Sequence, residues 1–372
     1  MAKRADEQVQ LPTHGASVLP SVKVDSYNLE VEDEEGFVGD RASKIAFWEI
    51  VDKWRKTLKE LGEDPLGDKP SEDIGKKKLA TLLNEGDPTA AGLVQSAVED
   101  FAQQLAQVIR RFLRLKDWRD TECLVIGGGF RASRVGELAV GRAGLLLKAD
   151  GVPVDLELIR NDPDHAGLIG AAHLLPAWML KGYDAILAVD VGGTNIRAGV
   201  VELNLGKSSD LGKAQVARSS LWRHSEEDIK RDDAVEQLIG MLQELIDWSR
   251  KNKIALAPLI GIGCPGVIHE DGSIERGAQN LPGNWESSRF NLPASLREGI
   301  PKIDEHETVA VMHNDAVVQG LSELPNVKDR THWGVLTIGT GLGNARFTNR
   351  HEGKSRNGKG KDEKSKGDKA KD

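Results

Sequence analysis

Cysteine is nearly absent from this chain of 372 residues: there are two, Cys123 and Cys264, together with two tyrosines and 5% aromatic residues overall. Two cysteines, each inside an apolar strand-like run, exclude a disulfide framework and a cysteine-rich zinc site, and they point to a reducing, cytoplasmic compartment. A long hydrophobic run is missing as well. The most apolar segment, "AGLIGAAHLLPAWML", is too short to span a bilayer and carries His173 and Pro176. The first twenty residues hold acidic side chains and two prolines but no apolar core of signal-peptide length. An excess of positive charge is also lacking, with 50 Lys and Arg against 58 Asp and Glu for a net charge of -8. Neither a membrane nor a nucleic-acid partner is expected.

What is present suits a globular protein: 39% hydrophobic and 29% charged residues, in a chain long enough for two packed lobes. Residues 1–24 read as a flexible arm. From His351 to Asp372 no aliphatic residue larger than Ala occurs, so 351–372 reads as a disordered, lysine-rich, solubilising end. Between them, helical spacing predicts helices over 39–61, 89–114, 134–150, 166–180 and 232–250, the second opened by Asp87 as N-cap and Pro88. Strands are predicted at "CLVIGGG", "VDLELI", "PLIGIGCPG" and "TVAVMHND", and Gly-turn hairpins at "DAILAVDVGGTNIRAGVVEL" and "WGVLTIGTGLGNARFTNR".

The glycine-rich turns carry the chemistry. "GGGFRA", from Gly127 to Ala132, satisfies a loose dinucleotide pattern with Asp150 and Asp155 about twenty positions on, a weak signal alone. "GKSS", Gly206 to Ser209, imitates the end of a P-loop, but Val201 stands where that loop needs glycine, so it reads as a surface turn. In "DVGGTNIR", Asp190 ends a strand and offers a carboxylate to a hydrated Mg²⁺, while Gly192, Gly193, Thr194 and Asn195 offer backbone N–H groups to phosphate. "TIGTGLGN" repeats the device with Gly339, Thr340, Gly341 and Gly343. With Gly127, Gly128 and Gly129 on a third corner, one nucleotide held from three sides is expected. Between the hairpins, Asn314 and Asp315 stand where a strand passes into a helix, with Asp315 a candidate general base. His173 and the helically spaced tryptophans read as packing, and His224 and His269 lack metal-type partners.

The segments "LAVDVGGTNIRAGVV", "GIGCPGVIHEDGSI", "NLPGNW", "HNDAVVQGLSE" and "TIGTGLGNARF" resemble, in order, motifs of ROK-type sugar kinases and bacterial glucokinases, within the actin-like hexokinase and heat-shock ATPase superfamily. The resemblance runs from Asp184 to about Arg350. It implies an α/β, two-lobed, actin-like ATPase (ribonuclease H-like) fold with a central cleft, ATP and Mg²⁺ as cofactors, and a glucose-like hexose as substrate. Asp315 would be the base; Asn314, Gly266 and Asn280 would bind the sugar; Asp190 would hold Mg²⁺ through water. "VIGGGFRASRVGE" and "DPDHAGLIGAA" resemble the family's last, adenosine-binding segment but precede the first phosphate motif, so the chain reads as circularly permuted. One lobe would comprise 25–165 completed by 331–350, the other 184–330, with 166–183 as helix and junction. The family's zinc loop is matched only by "GFVGDRAS", with Phe37 at a Cys position and Gly39 at a sugar-binding Glu, so no zinc site is expected. Its E-x-G-H sugar pair has no counterpart beyond candidate carboxylates such as Glu30. A catalytically silent sugar or nucleotide sensor on the same fold is the rival reading. A repressor would need a helix-turn-helix module, which the first 40 residues do not offer. A homodimer would fit the family.

Overall fold

The computed structural model describes residues 13–350; residues 1–12, and the tail expected from 351 to 372, lie outside them. Two five-stranded sheets dominate. The second is built in chain order from β4 (Ala185–Val191), β5 (Ile196–Glu202), β6 (Gln215–Trp222), β7 (Leu256–Cys264) and β8 (Val309–Asn314). β4 lies at its centre, with the antiparallel β5 and β6 on one side and the parallel β7 and β8 on the other. All seven residues of β4 are buried, as expected of a strand covered on both faces.

The first sheet repeats this pattern with its strands drawn from both ends of the chain. Its centre is β9 (His332–Ile338), flanked by the antiparallel β10 (Leu342–Asn349) and β1 (Val22–Tyr27), and by the parallel β2 (Cys123–Gly127) and β3 (Asp155–Leu158). β1 follows β10 in space but opens the described chain. Val22 pairs with Asn349, and the Arg350 N–H donates to Ser21 O at 2.9 Å.

Helices α1 (Lys44–Glu60), α2 (Lys76–Glu85), α3 (Pro88–Arg114) and α4 (Arg134–Ala149) cover the outer face of the first sheet, where Leu124, Ile126, Leu336 and Ile338 meet Phe47, Phe101 and Ala139. α6 (Arg231–Lys251) and α7 (Leu292–Gly299) cover the outer face of the second against Leu187, Val189 and Val191. Between the sheets lie α5 (Pro163–Ala171) and α8 (Asp315–Leu321), packed on Val125 and Val335 of one sheet and on Ile186 and Ala188 of the other. The period-two alternation of the strands separates these layers. Truncating a fully buried anchor such as Phe101 to Ala would cost about 3–5 kcal/mol.

Several expectations need correction. The arm expected through residue 24 is ordered from residue 13. The Gly15 N–H donates to Met312 O at 2.9 Å and His313 Nε2 meets Ala16 O at 3.1 Å, so this stretch satisfies polar groups along β8. The helix expected over 39–61 starts at Lys44, because Ser43 caps it by accepting from the Ala46 N–H. The helix expected over 166–180 starts earlier, behind the Asp162 cap, and ends at Ala171, giving way to short 3-10 turns around Pro176. β1, β6, α2 and α7 were not expected. Gly206 to Ser209 lies in a turn region, as expected.

Candidate functional site

Asp190 stands near the end of β4, paired across the ladder with Arg197, and the turn after it is closed by the Gly192 N–H donating to Asn195 O at 2.9 Å. His224, 3% exposed, braces this turn: its Nε2 lies 2.8 Å from Gly192 O. The second hairpin turn is closed alike, the Gly339 N–H donating to Gly341 O at 2.9 Å. The two turns meet, with the Thr194 and Thr340 hydroxyls 3.2 Å apart.

The Gly127–Gly129 turn is stitched to both neighbours. The Gly128 N–H donates to Gln319 Oε1 of α8 at 2.9 Å, and the Phe130 N–H donates to Ile338 O at 3.2 Å. Gly128 has φ +83°, and a Cβ there would stand 2.4 Å from Ile338 O, so only glycine serves. The "GLIGAA" run of α5 has a similar steric purpose. A Cβ on Gly167 would stand 2.6 Å from Asp190 Cγ, and one on Gly170 1.7 Å from Val318 O, so these glycines let α5 lie directly against Asp190 and α8.

These elements enclose a cleft of about 540 Å³. Of the expected residues, Asp190, Gly192, Gly193, Thr194, Asn195, Gly339, Thr340, Gly341, Gly343, Gly128, Gly129, Asn280 and Asp315 line it. Gly127, Gly266 and Asn314 stand behind the wall. Gly127 faces Gln319. Asn314 is 1% exposed; its Oδ1 accepts from the Ala316 and Val317 N–H groups as cap of α8, and its Nδ2 donates to Gly266 O at 3.0 Å. The cap thereby fixes the Gly266 loop beside Asp315. Gly39 packs on Leu342 at the second hairpin, and Phe37 is exposed.

Electrostatically the cleft floor is a carboxylate pair. Burial first, and then the charge of Asp190, push the Asp315 carboxyl up to about 7. Burial also raises Asp190; Arg197, 3.7 Å away, opposes the rise and Asp164 adds to it. Both carboxylates help to hold the buried Cys264 thiol protonated, after burial itself, which leaves an inert sulfur. Hard oxygen donors beside glycine turns with free cleft space fit a magnesium ion. Among the described residues no group of three His, Cys, Asp or Glu side chains could hold a metal alone, so an ion here would share its remaining ligands with phosphate and water.

Several lining residues escaped the sequence. Lys44 and Lys76 project from α1 and α2 beside Gly128 and Gly129, and Lys76 Nζ donates to Gly129 O. Burial, then the charge of Lys44, lowers the Lys76 pKa. Arg197, Gln319 and Asn28 also line the cleft. Arg197 and Gln319 lie within the quoted motifs "DVGGTNIR" and "HNDAVVQGLSE", whereas Lys44, Lys76 and Asn28 do not. His224, set aside for want of metal partners, serves as a brace, a role that only the fold reveals.

A sheet pattern used twice, with a glycine turn at the end of each central hairpin, brings these turns and the two carboxylates to one cleft. No family model matches the chain. It is 27% identical over 160 residues to a glucokinase of Thermotoga maritima, covering 42% of this chain and 43% of that protein. Among solved structures it is similar to a Listeria monocytogenes protein described as a candidate N-acetylmannosamine kinase (TM-score 0.33, 23% identity, 47% of this chain and 52% of that one). It is also similar to a ROK hexokinase from Thermus thermophilus (TM-score 0.32, 22% identity, 43% and 45%). The chain thus spans about half the length, or less, of the relatives it matches. Its resemblance to ROK-type sugar kinases is shown. Among the described residues no helix is long and apolar enough to cross a membrane.

Proposed function

We propose that this chain is an ATP- and Mg²⁺-dependent sugar kinase, circularly permuted relative to ROK-type kinases, that phosphorylates a hydroxyl of a glucose-like hexose. The observation that carries the reading is the convergence of both phosphate turns, the Gly128–Gly129 turn and Asp315 on one cleft. The permutation is supported by the two sheets, which share one strand pattern although β1, β2 and β3 precede β9 and β10 in the chain. The adjacency of Arg350 and Ser21 supports it too, since it lies where an unpermuted chain would turn from β10 into β1. So does the length of the glucokinase match, 160 residues, because a linear alignment can follow only one side of the break. In this reading 25–165 with 331–350 forms one lobe, and 184–330 the other.

Asp315 accepts the proton of the sugar hydroxyl as its oxygen attacks the γ-phosphorus, and the bond from that phosphorus to the bridging oxygen of ADP breaks in line with the attack. The turns at Gly192–Asn195 and Gly339–Gly343 hold the phosphates through backbone N–H groups, Gly127–Gly129 lie under the adenosine, and Gly266, Asn280 and Asn314 shape the sugar side. Asp190 would hold Mg²⁺ through water, and the ion would supply charge neutralisation at the phosphates. Phosphoryl transfer asks for placement and charge compensation above all, and closure of the cleft keeps water from taking the sugar's place.

The test is ADP release from Mg-ATP across a panel of hexoses, amino sugars and a no-sugar control, with Asp315→Asn alongside. Sugar-dependent ADP that falls by ~10²–10⁴ in the variant is expected of a general base. Near-wild-type turnover in that variant would remove Asp315 from the role. A second reading, a sensor that binds ATP and sugar without turnover, is favoured by Gly39 standing where the resemblance places a sugar-binding Glu; ATP binding with no hexose raising ADP release would select it.

A further inference from the structure

Asn28 follows the last residue of β1 and has φ +50°, a left-handed conformation that Asn tolerates better than most side chains. Its backbone is clamped from both sides by Asn344, which is 2% exposed. The Asn28 N–H donates to Asn344 O at 3.0 Å, the Leu29 N–H donates to Asn344 Oδ1 at 2.9 Å, and Asn344 Nδ2 donates to Leu29 O at 3.0 Å. A turn anchored this firmly aims one side chain.

That side chain belongs to the wall of the cleft that also holds Asp315 and Asn280. Its Nδ2 is buried yet has no hydrogen-bond partner among the described residues, whereas the adjacent Tyr27 hydroxyl engages both Ile268 O and the Ile268 N–H. Packed against it, from the part of the chain that carries the second sheet, is bare backbone: a Cβ on Gly277 would stand 2.9 Å from Asn28 Nδ2 and 2.8 Å from Gly266 Cα. Gly266 is the residue whose carbonyl Asn314 holds, one position before Asp315. The orphan amide and the proposed base thus line the same cleft. An unpaired buried donor opposes folding, and such groups mark places where a partner is still to arrive. The ion pair of Glu30 with Arg276, at 3.9 Å, is half-exposed and outside the cleft lining, and the Asn28 amide is an uncharged donor suited to a neutral hydroxyl.

Resting on the sugar-kinase reading, we propose that Asn28 is a sugar-binding residue of this cleft, donating through Nδ2 to one hydroxyl of a neutral hexose. Asn28 follows β1 and packs on Gly277, so the amide reaches the sugar as that contact yields.

The test is sugar binding by calorimetry to the full chain loaded with a non-hydrolysable ATP analogue, for wild type, Asn28→Gly and Asn28→Asp. Glycine removes the amide without straining the positive φ; aspartate keeps the shape and removes the donor. A tenfold or greater rise in sugar Kd for both variants is expected, with analogue Kd within twofold and Tm unchanged or higher. A series of monodeoxy sugars should contain one member that binds wild type and variants equally, identifying the hydroxyl. Equal hexose binding by wild type and both variants overturns the assignment of Asn28 and leaves the kinase reading standing. A wild-type protein that neither binds nor phosphorylates any hexose overturns both.

Discussion

Thr194 and Thr340 touch through their hydroxyls at 3.2 Å, although 146 residues separate them in the chain. Each belongs to the turn of a central hairpin, so this exposed contact ties the two proposed phosphate cradles into one. An exposed hydrogen bond contributes about 0.5–1.5 kcal/mol. Thr194→Val and Thr340→Val should each weaken Mg-ATP binding several-fold. The double variant should be scarcely worse than either alone, because both singles remove the same bond. Additive losses in a titration of the four proteins would show that the threonines act separately.

The raised pKa of Asp315, about 7, makes two pH predictions. As a base it must be ionised, so kcat/KM should climb as pH rises through about 7 and level off above. Stability should move the other way. Between the ordinary aspartate pKa of 3.8 and about 7 the folded protein keeps a proton that the unfolded chain has lost, so folding loses stability with rising pH across that window. Asp315→Asn should therefore gain Tm relative to wild type at pH 8 and show little difference at pH 4. A variant that tracks wild type in Tm at both pH values would argue against a buried, proton-holding Asp315.

Among the described residues Lys76 pairs with no carboxylate within salt-bridge distance; it lies beside Lys44 and the Gly128–Gly129 turn, and its pKa is lowered by burial and by its neighbour's charge. If the cleft takes a nucleotide as proposed, its phosphates would relieve the two ammonium groups. Lys76→Met should raise KM for ATP about tenfold or more while leaving the sugar KM near wild type. Equal effects on both substrates would instead make Lys76 a structural brace for Gly129.

What the sequence disclosed, and what it hid, follows from how strongly each element is buried. β4 and α3 write their burial as an unbroken apolar run and a long apolar stripe, and Asp87 caps α3 where the residues predicted, accepting from the Thr89 and Ala90 N–H groups. β1 and β6 are edge strands with polar outer faces, and α2 buries only two of its ten residues fully, so their periodic signal is faint. The glycine turns were legible because each is a local run of particular residues, here found lining one cleft. Asn28, Lys76 and His224 were not, because each reaches the site from a segment distant in sequence, and only the sheet pairing brings them there.

The chain order itself can be tested by reversing it. β10 ends beside the start of β1, with Arg350 and Ser21 joined by a hydrogen bond, and Gly182 lies exposed at φ +97° in the short connection between α5 and β4. Joining Asp372 to Met1 and opening the chain at Gly182 would put the hairpin β4–β5 first and α5 last, the order that the resemblance to ROK-type kinases implies. Termini near one another and a break in an exposed loop are the conditions under which permutation preserves a fold. The rearranged protein should unfold within a few degrees of the original and bind Mg-ATP with comparable affinity. A rearranged chain that is soluble but fails to fold would mean that the junction from Ala172 to Asp184 is not a passive linker. Its buried residues Leu174, Leu175 and Leu180, which pack with Val317 and Ile186, would then be the place to look for the cause.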